Sequence, residues 1–181
     1  MPRVIEVVDY DPAWIAAFEK EAATLNAVFG QRVVAMHHIG STAVPCLDAK
    51  PIIDILVVLD HTDDINYFDR AMEGVGYRVR GECLDATIPG TPGRFYFTKE
   101  TNGVRSHHVH VYAKGHWEIA DKLAFRDYLR AHTSKAAEYG ELKRRSAAEY
   151  RFDNIAYMRA KDGFVKTTLL EARRWYGLNS R

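Results

Sequence analysis

His38-Ile39-Gly40-Ser41-Thr42-Ala43-Val44-Pro45-Cys46-Leu47-Asp48-Ala49-Lys50-Pro51-Ile52-Ile53-Asp54-Ile55-Leu56-Val57 is the stretch that decides the fold of this chain. It joins a strand end to a Gly-Ser turn and then to a second, apolar strand. Ile52–Leu59 is aliphatic nearly throughout, the composition of a strand covered on both faces. One carboxylate, Asp54, interrupts that run. Burying a lone carboxylate is costly unless a cation or hydrogen-bond donors meet it, so Asp54 is a candidate site residue. Gly40 allows a turn that a side chain would obstruct and lets a ligand approach the backbone. Ser41 and Thr42 add two hydroxyls beside exposed amides, a candidate phosphate cradle. Lys50 is either the structural partner of Asp54 or a point charge for a phosphate.

Outward from this stretch the chain reads as α/β and then as helix. Val4–Val8 is β-branched and predicts a short strand. Asp11-Pro12 starts a helix over 12–29, with Trp14, Phe18, Ala22 and Leu25 on one face and Gly30 at its end. Val33–Met36 is a strand that runs into the Gly-Ser turn, and Asp63–Val75 is a helix. Tyr77–Arg80, Arg94–Lys99 and Val104–Tyr112 are strands, with Asn102-Gly103 as a tight hairpin between the last two. Pro89–Gly93 is a loop. From His116 to Tyr176 the pattern predicts three helices, broken near Thr133-Ser134 and Phe152-Asp153, with Asp153 as an N-cap. His108 and His110 lie two apart on a strand, so their rings share a face.

Composition narrows the function classes. The 181 residues are 47% apolar and 27% charged, enough for a core without a disulfide or structural metal. A net charge of +1 argues against a general nucleic-acid binder. The charge is uneven: residues 1–115 carry a net −4 and residues 116–181 a net +5. No apolar run approaches the ~20 residues that cross a bilayer, and no secretory signal pattern is present. Cys46 and Cys83 form no metal or CxxC spacing, and neither has an activating partner nearby in sequence. Together these features predict a cytoplasmic protein with no membrane association.

The Gly40-Ser41 turn followed by strand-borne Asp54 resembles the nucleotidyltransferase superfamily. The fuller resemblance is to the GrpB family (UPF0157-type). It is carried by His-Ile-Gly-Ser-Thr-Ala-Val-Pro (38–45), Ala-Lys-Pro-Ile-Ile-Asp-Ile (49–55) and His-His-Val-His-Val (107–111). Phe125–Arg130, Glu138-Tyr139 with Leu142-Lys143, and Tyr157 with Lys161 and Phe164 extend it over nearly the whole chain. The resemblance implies a mixed, twisted sheet of the nucleotidyltransferase type, flanked by the helices at 12–29 and 63–75. Residues 1–115 would form this core and residues 116–181 a C-terminal helical bundle, the two making one compact unit.

It also implies a metal-dependent enzyme that moves a nucleoside monophosphate from an NTP to an acceptor. Asp54, His108 and His110 would be the catalytic and metal-binding residues, with Mg, Mn or Zn as the divalent ion. Either imidazole could instead serve as the base on the acceptor hydroxyl. Gly40, Ser41, Thr42, Lys50, Arg105, Arg126, Lys143 and Lys161 would contact the nucleotide and its phosphates. Tyr157 is either a stacking surface for the base or a core residue. Two departures stand out. The superfamily's carboxylates alternate on the strand, but positions 52 and 56 are Ile and Leu. Cys46 stands where the family more often has Gly. The missing carboxylate favours an alternative: a catalytically inactive binding or regulatory module, linked to coenzyme A metabolism because family members also occur joined to dephospho-coenzyme A kinase.

Overall fold

The structure, a computed structural model, describes residues 4–82 and 91–178. Cys83 and the Pro89-Gly90 start of the expected loop lie outside them. The chain forms two compact units: Ala13–Ile39 with Ile52–Ile119, and Met1–Pro12 with Gly40–Pro51 and Ala120–Arg181.

The first unit is a five-stranded mixed sheet with helices. Its strands are β1 (Val33–Ile39), β2 (Ile53–Leu59), β3 (Tyr77–Glu82), β4 (Phe95–Thr101) and β5 (Val104–Ala113). They lie in the order β1-β2-β5-β4-β3, and β2–β5 is the parallel pair. The aliphatic run of β2 is buried as its composition predicts, Ile55, Leu56, Val57 and Leu59 completely so. Helix α1 (Ala13–Phe29) buries Trp14, Leu25 and Phe29 together with one carboxylate, Glu21. Lys99 Nζ meets Glu21 Oε1 at 2.9 Å, which offsets the cost of burying that charge. Asn102 and Gly103 both have positive φ (53° and 76°), the backbone of a tight β4–β5 hairpin.

Two elements differ from the sequence-based expectation. Asp63–Val75 is not one helix: a 3₁₀ turn at Ile65–Phe68 precedes a short α2 (Asp69–Gly74). Asp60 and Asp64 both bind the guanidinium of Arg32, which ties the start of this segment to the end of α1's following turn. Val4–Val8 is not a strand either, since among the described residues it makes only one bridge, Val8 with Ala49. Its β-branched alternation reflects burial: Ile5 and Val7 pack with Ala147, Tyr150 and Tyr157.

The second unit holds α3 (Trp117–Ala131), α4 (Thr133–Glu149) and α5 (Asn154–Trp175), with the first residues of α3 belonging to the sheet unit. The Asp153 carboxylate accepts from the Ile155 and Ala156 amides, the N-cap its position predicts. Val44, Leu47, Leu129, Ala136 and Tyr139 form the core here, packed by Phe125, Leu142, Phe164 and Val165. No helix among the described residues is long and apolar enough to cross a membrane.

The segment 40–51 is held by the helices at several points. Arg130 Nε donates to the Ala43 carbonyl at 2.8 Å, and Lys143 Nζ donates to the Asp48 carbonyl. Arg144 pairs with the carboxylates of Asp48 and Asp9. Gly40 has φ 70° and ψ −170°, a region that glycine alone enters at low cost. Gly40→Ala is expected to lose about 2 kcal/mol of stability, read as a melting midpoint about 4–8 °C lower. A drop of about 1 °C or less would show that the turn relaxes around a Cβ. Cys46, exposed, also has positive φ (61°), which explains why a glycine suits this position. Cys46→Gly is expected to raise the midpoint by about 1–4 °C, because a Cβ is strained in the left-handed region. A lower midpoint would overturn that account.

Candidate active site

Asp54 sits on β2 with Ile39 of β1 paired on one side and His108 of β5 on the other. Its neighbours Ile53 and Ile55 are buried, so strand alternation turns Asp54 to the opposite face. His108 Nδ1 lies 3.0 Å from Asp54 Oδ1, and His110 Nε2 lies 3.9 Å from the same oxygen. The three residues singled out from sequence therefore meet. Burial pushes the Asp54 pKa up, but the hydrogen bonds and charges of His108 and His110 outweigh it and hold the carboxyl below its ordinary range.

An ionised carboxylate can only accept, so His108 Nδ1 carries the shared proton. In a neutral imidazole that arrangement leaves Nε2 as the acceptor. Asp54 thus selects the tautomer in which His108 can take a proton at Nε2. Tyr96 closes the group from β4, stacked on His110 at 5.1 Å between centroids and edge-on to His108 at 5.5 Å.

The same face continues across the sheet. His108 pairs with Thr98 on β4, and Thr98 pairs with Arg78 on β3. Thr98 Oγ1 accepts from Arg80 Nε at 3.0 Å. Arg105 reaches this face because the β4–β5 register shifts: Lys99 pairs with His107, but Glu100 pairs with Arg105. Ser106 is the extra residue, and the bulge turns Arg105 to the side of Glu100 and Thr98 instead of that of His107. Arg105 Nη2 lies 3.4 Å from Glu100 Oε1. Burial first, then the Asp54 charge, push the Tyr96 phenol up to about 12, against the opposing pull of Arg105 and Arg94.

Tyr96, Arg78, Arg80 and Arg94 were not among the residues singled out from sequence. The signal available was the alternation of Tyr96 and Thr98 with Phe95 and Phe97, but its use requires the strand register. On the other face, burial pushes the His107 pKa down despite nearby Glu21, 3.9 Å away. His107 therefore belongs with the Glu21–Lys99 pair under α1 and not with His108.

The remaining nucleotide-binding candidates lie in the helical unit. Ser41 is half-buried at the start of a one-turn 3₁₀ helix, and Thr42 is buried. Lys50 and Lys161 lie over the ring of Tyr157, at 4.9 and 5.3 Å. Tyr157 is 1% exposed and packs with Ile5 and Ala147, so it is a core residue. Arg126 pairs with adjacent Asp127 at 2.7 Å. Lys143 is buried on the Asp48 carbonyl and lies 4.5 Å from the Tyr139 ring centroid.

A pair of divalent cations does not fit this donor set. Two ions ~4 Å apart need bridging carboxylates, and Asp54 stands alone on its strand, with Leu56 fully buried. Asp54 and His108 are joined by a proton. Among the described residues no group of three or more His, Cys, Asp or Glu is placed to hold a metal ion.

A five-stranded mixed sheet, carrying a carboxylate on one strand of its parallel pair and flanked by helices, defines a protein of the nucleotidyltransferase-like fold. The chain matches terminal uridylyl transferase 4 from Trypanosoma brucei with bound dUTP at a TM-score of 0.53, covering 96% of this chain and 57% of that one. At 12% identity this is a likeness of fold alone. Residues 4–171 match the family GrpB protein, and the chain belongs to the GrpB family. The crystal structure of conserved protein GrpB from Enterococcus faecalis is 37% identical, with a TM-score of 0.87 and 95% and 99% of the two chains covered. UPF0157 protein YqkA from Bacillus subtilis (strain 168) is 41% identical over 173 residues. Those residues are 96% of this chain but 48% of YqkA, so the chain spans about half the length of that relative.

Proposed function

We propose that this chain transfers a nucleoside monophosphate from an NTP to a hydroxyl acceptor, with His108 as general base and Asp54 as its positioning residue. The observation that carries this reading is the Asp54–His108 hydrogen bond on a nucleotidyltransferase-like sheet. The acceptor hydroxyl gives its proton to His108 Nε2 as its oxygen bonds to the α-phosphorus. The bond from the α-phosphorus to the bridging oxygen breaks, and pyrophosphate leaves. An imidazole whose Nε2 lone pair is left open by the bond at Nδ1 can take that proton, as general-base catalysis requires. Gly40, Ser41, Thr42, Lys50, Arg126 and Lys161 are proposed as nucleotide contacts on the family resemblance alone, whereas Lys143, buried on the Asp48 carbonyl, is an anchor of the segment 40–51.

The test is a thermal-shift panel of the four NTPs, coenzyme A and dephospho-coenzyme A, each with and without Mn²⁺ or Mg²⁺. A ligand at 100 times its Kd stabilises by about 2.7 kcal/mol, a rise of about 5–10 °C for a chain of this size. An NTP shift that does not need the cation supports the base-centred reading. An NTP shift seen only with Mn²⁺, and lost in Asp54→Ala, would return the divalent ion expected on Asp54, His108 and His110. The missing second carboxylate favours an inactive binding module. A shift with no nucleotide, or with coenzyme A alone, would establish that reading instead.

A further inference from the structure

Beyond His108, the face of β5, β4 and β3 carries Arg78 and Arg80, which the transfer reading does not use, and Arg105, which the family resemblance alone would give to the nucleotide. Arg105 is turned to this face by the Ser106 bulge, and its Nε is buried with no hydrogen-bond partner among the described residues. An unsatisfied buried donor in a native fold calls for an acceptor. Among the described residues Arg80 donates Nε to Thr98, and its side chain is exposed. Arg78, also exposed, is one register position from that bond, paired with Thr98. Glu100 lies 3.8 Å from Arg78 and 3.4 Å from Arg105, so one carboxylate is shared by two guanidinium groups, and Arg80 adds a third cation on the same strand as Arg78. The surplus is cationic, and the row Asp54-His108-Thr98-Arg78 runs without a break across four strands. Planar guanidinium forks suit phosphate oxygens in two-point contacts.

We infer that Arg78, Arg80 and Arg105 form an anion platform for a phosphate group carried by the acceptor, whose hydroxyl then lies toward His108. The acceptor class is a phosphorylated polyol or sugar. Its assignment as acceptor rests on the transfer reading, whereas the phosphate site itself does not. Tyr96 stands beside Arg105 and packs against both imidazoles, and its ring is the surface on which a sugar ring would rest.

Titration calorimetry with ribose 5-phosphate, ribose and ATP tests this on the wild type, Arg80→Ala, Arg105→Ala and Arg80→Lys. Ribose 5-phosphate is expected to bind the wild type and ribose is not. Arg80→Ala and Arg105→Ala should each weaken ribose 5-phosphate about tenfold or more, while ATP changes less than about threefold. Arg80→Lys should fall between, since an ammonium keeps the charge and loses the fork. Arg105 is half-buried, so its variant is read only if its melting midpoint stays near wild type; exposed Arg80 carries the test otherwise. The inference is overturned by an absence of ribose 5-phosphate binding, by affinities that the alanine variants leave within about twofold, or by variants that weaken ATP instead. If ATP fails to bind while ribose 5-phosphate still depends on Arg80, the platform stands and the transfer reading falls.

Discussion

Lys143→Glu is expected to cost about 3–5 kcal/mol of folding stability, a midpoint drop of roughly 10 °C or more. Lys143 is 2% exposed, and its ammonium donates to the Asp48 carbonyl above the face of Tyr139. A carboxylate there faces a carbonyl oxygen and an aromatic ring, both negative on that side, and it is buried without a donor. The lost bond also releases the segment 44–50, whose Leu47 is fully buried in the core of the helical unit. Lys143→Met keeps the stem and removes the charge, so it should lose about 1–3 kcal/mol, the cost of one unmet buried acceptor. Lys135→Glu is the control. Lys135 is half-exposed and pairs with Glu138 at 3.4 Å, the geometry of a surface ion pair worth under about 1 kcal/mol. Urea unfolding of the three variants measures the order. A Lys143→Glu loss within about 1 kcal/mol of that of Lys135→Glu would show that Lys143 is not an anchor.

The same residue shows why a motif alone does not assign a role. The family resemblance makes Lys143 a phosphate contact, and that role alone would have Lys143→Glu weaken nucleotide binding far more than Lys135→Glu. The structure predicts the same order for a different reason, because the Glu variant loosens the fold that would hold any ligand. Nucleotide binding must therefore be compared well below both melting midpoints, on folded protein.

Local patterns carried most of the fold. The aliphatic run at 52–59 is a buried strand, Asn102-Gly103 is the hairpin, and Asp153 caps α5, each set by neighbours within a few residues. Asp54, His108 and His110 were legible for a similar reason: a charge in an apolar strand is costly, and residues two apart share a face. What escaped depends on register between distant strands. Arg105 follows simple alternation to the wrong face, and only the bulge at Ser106 corrects it. Tyr96 and Arg80 join the site through β4–β5 and β3–β4 pairing, which no local window contains. Val4–Val8 misled in the opposite sense. Its side chains alternate because a core takes two of them, while its backbone makes one isolated bridge among the described residues and no ladder.

Asp54→Asn is expected to lower the transfer rate by about 10²–10⁴-fold while leaving NTP binding within about threefold. The side chain keeps its size, but an amide can donate where the carboxylate could only accept. Asn can therefore donate a hydrogen bond to His108 Nδ1 and favour the tautomer with its hydrogen on Nε2, the wrong one for a base. His108→Ala removes the base outright and should cost about the same factor. The two residues act as one unit, so the double variant should be no slower than the worse single variant by more than about threefold. Single-turnover measurements with an NTP and an excess of acceptor separate this from binding. Two losses that multiply would mean that Asp54 acts independently of His108, as a ligand for a cation would. Unchanged rates in both variants would remove the Asp54–His108 pair from the chemistry altogether. Because Asp54 is ionised and His108 is oriented by it, non-additivity is the signature that distinguishes a proton-transfer pair from two groups that merely share a face.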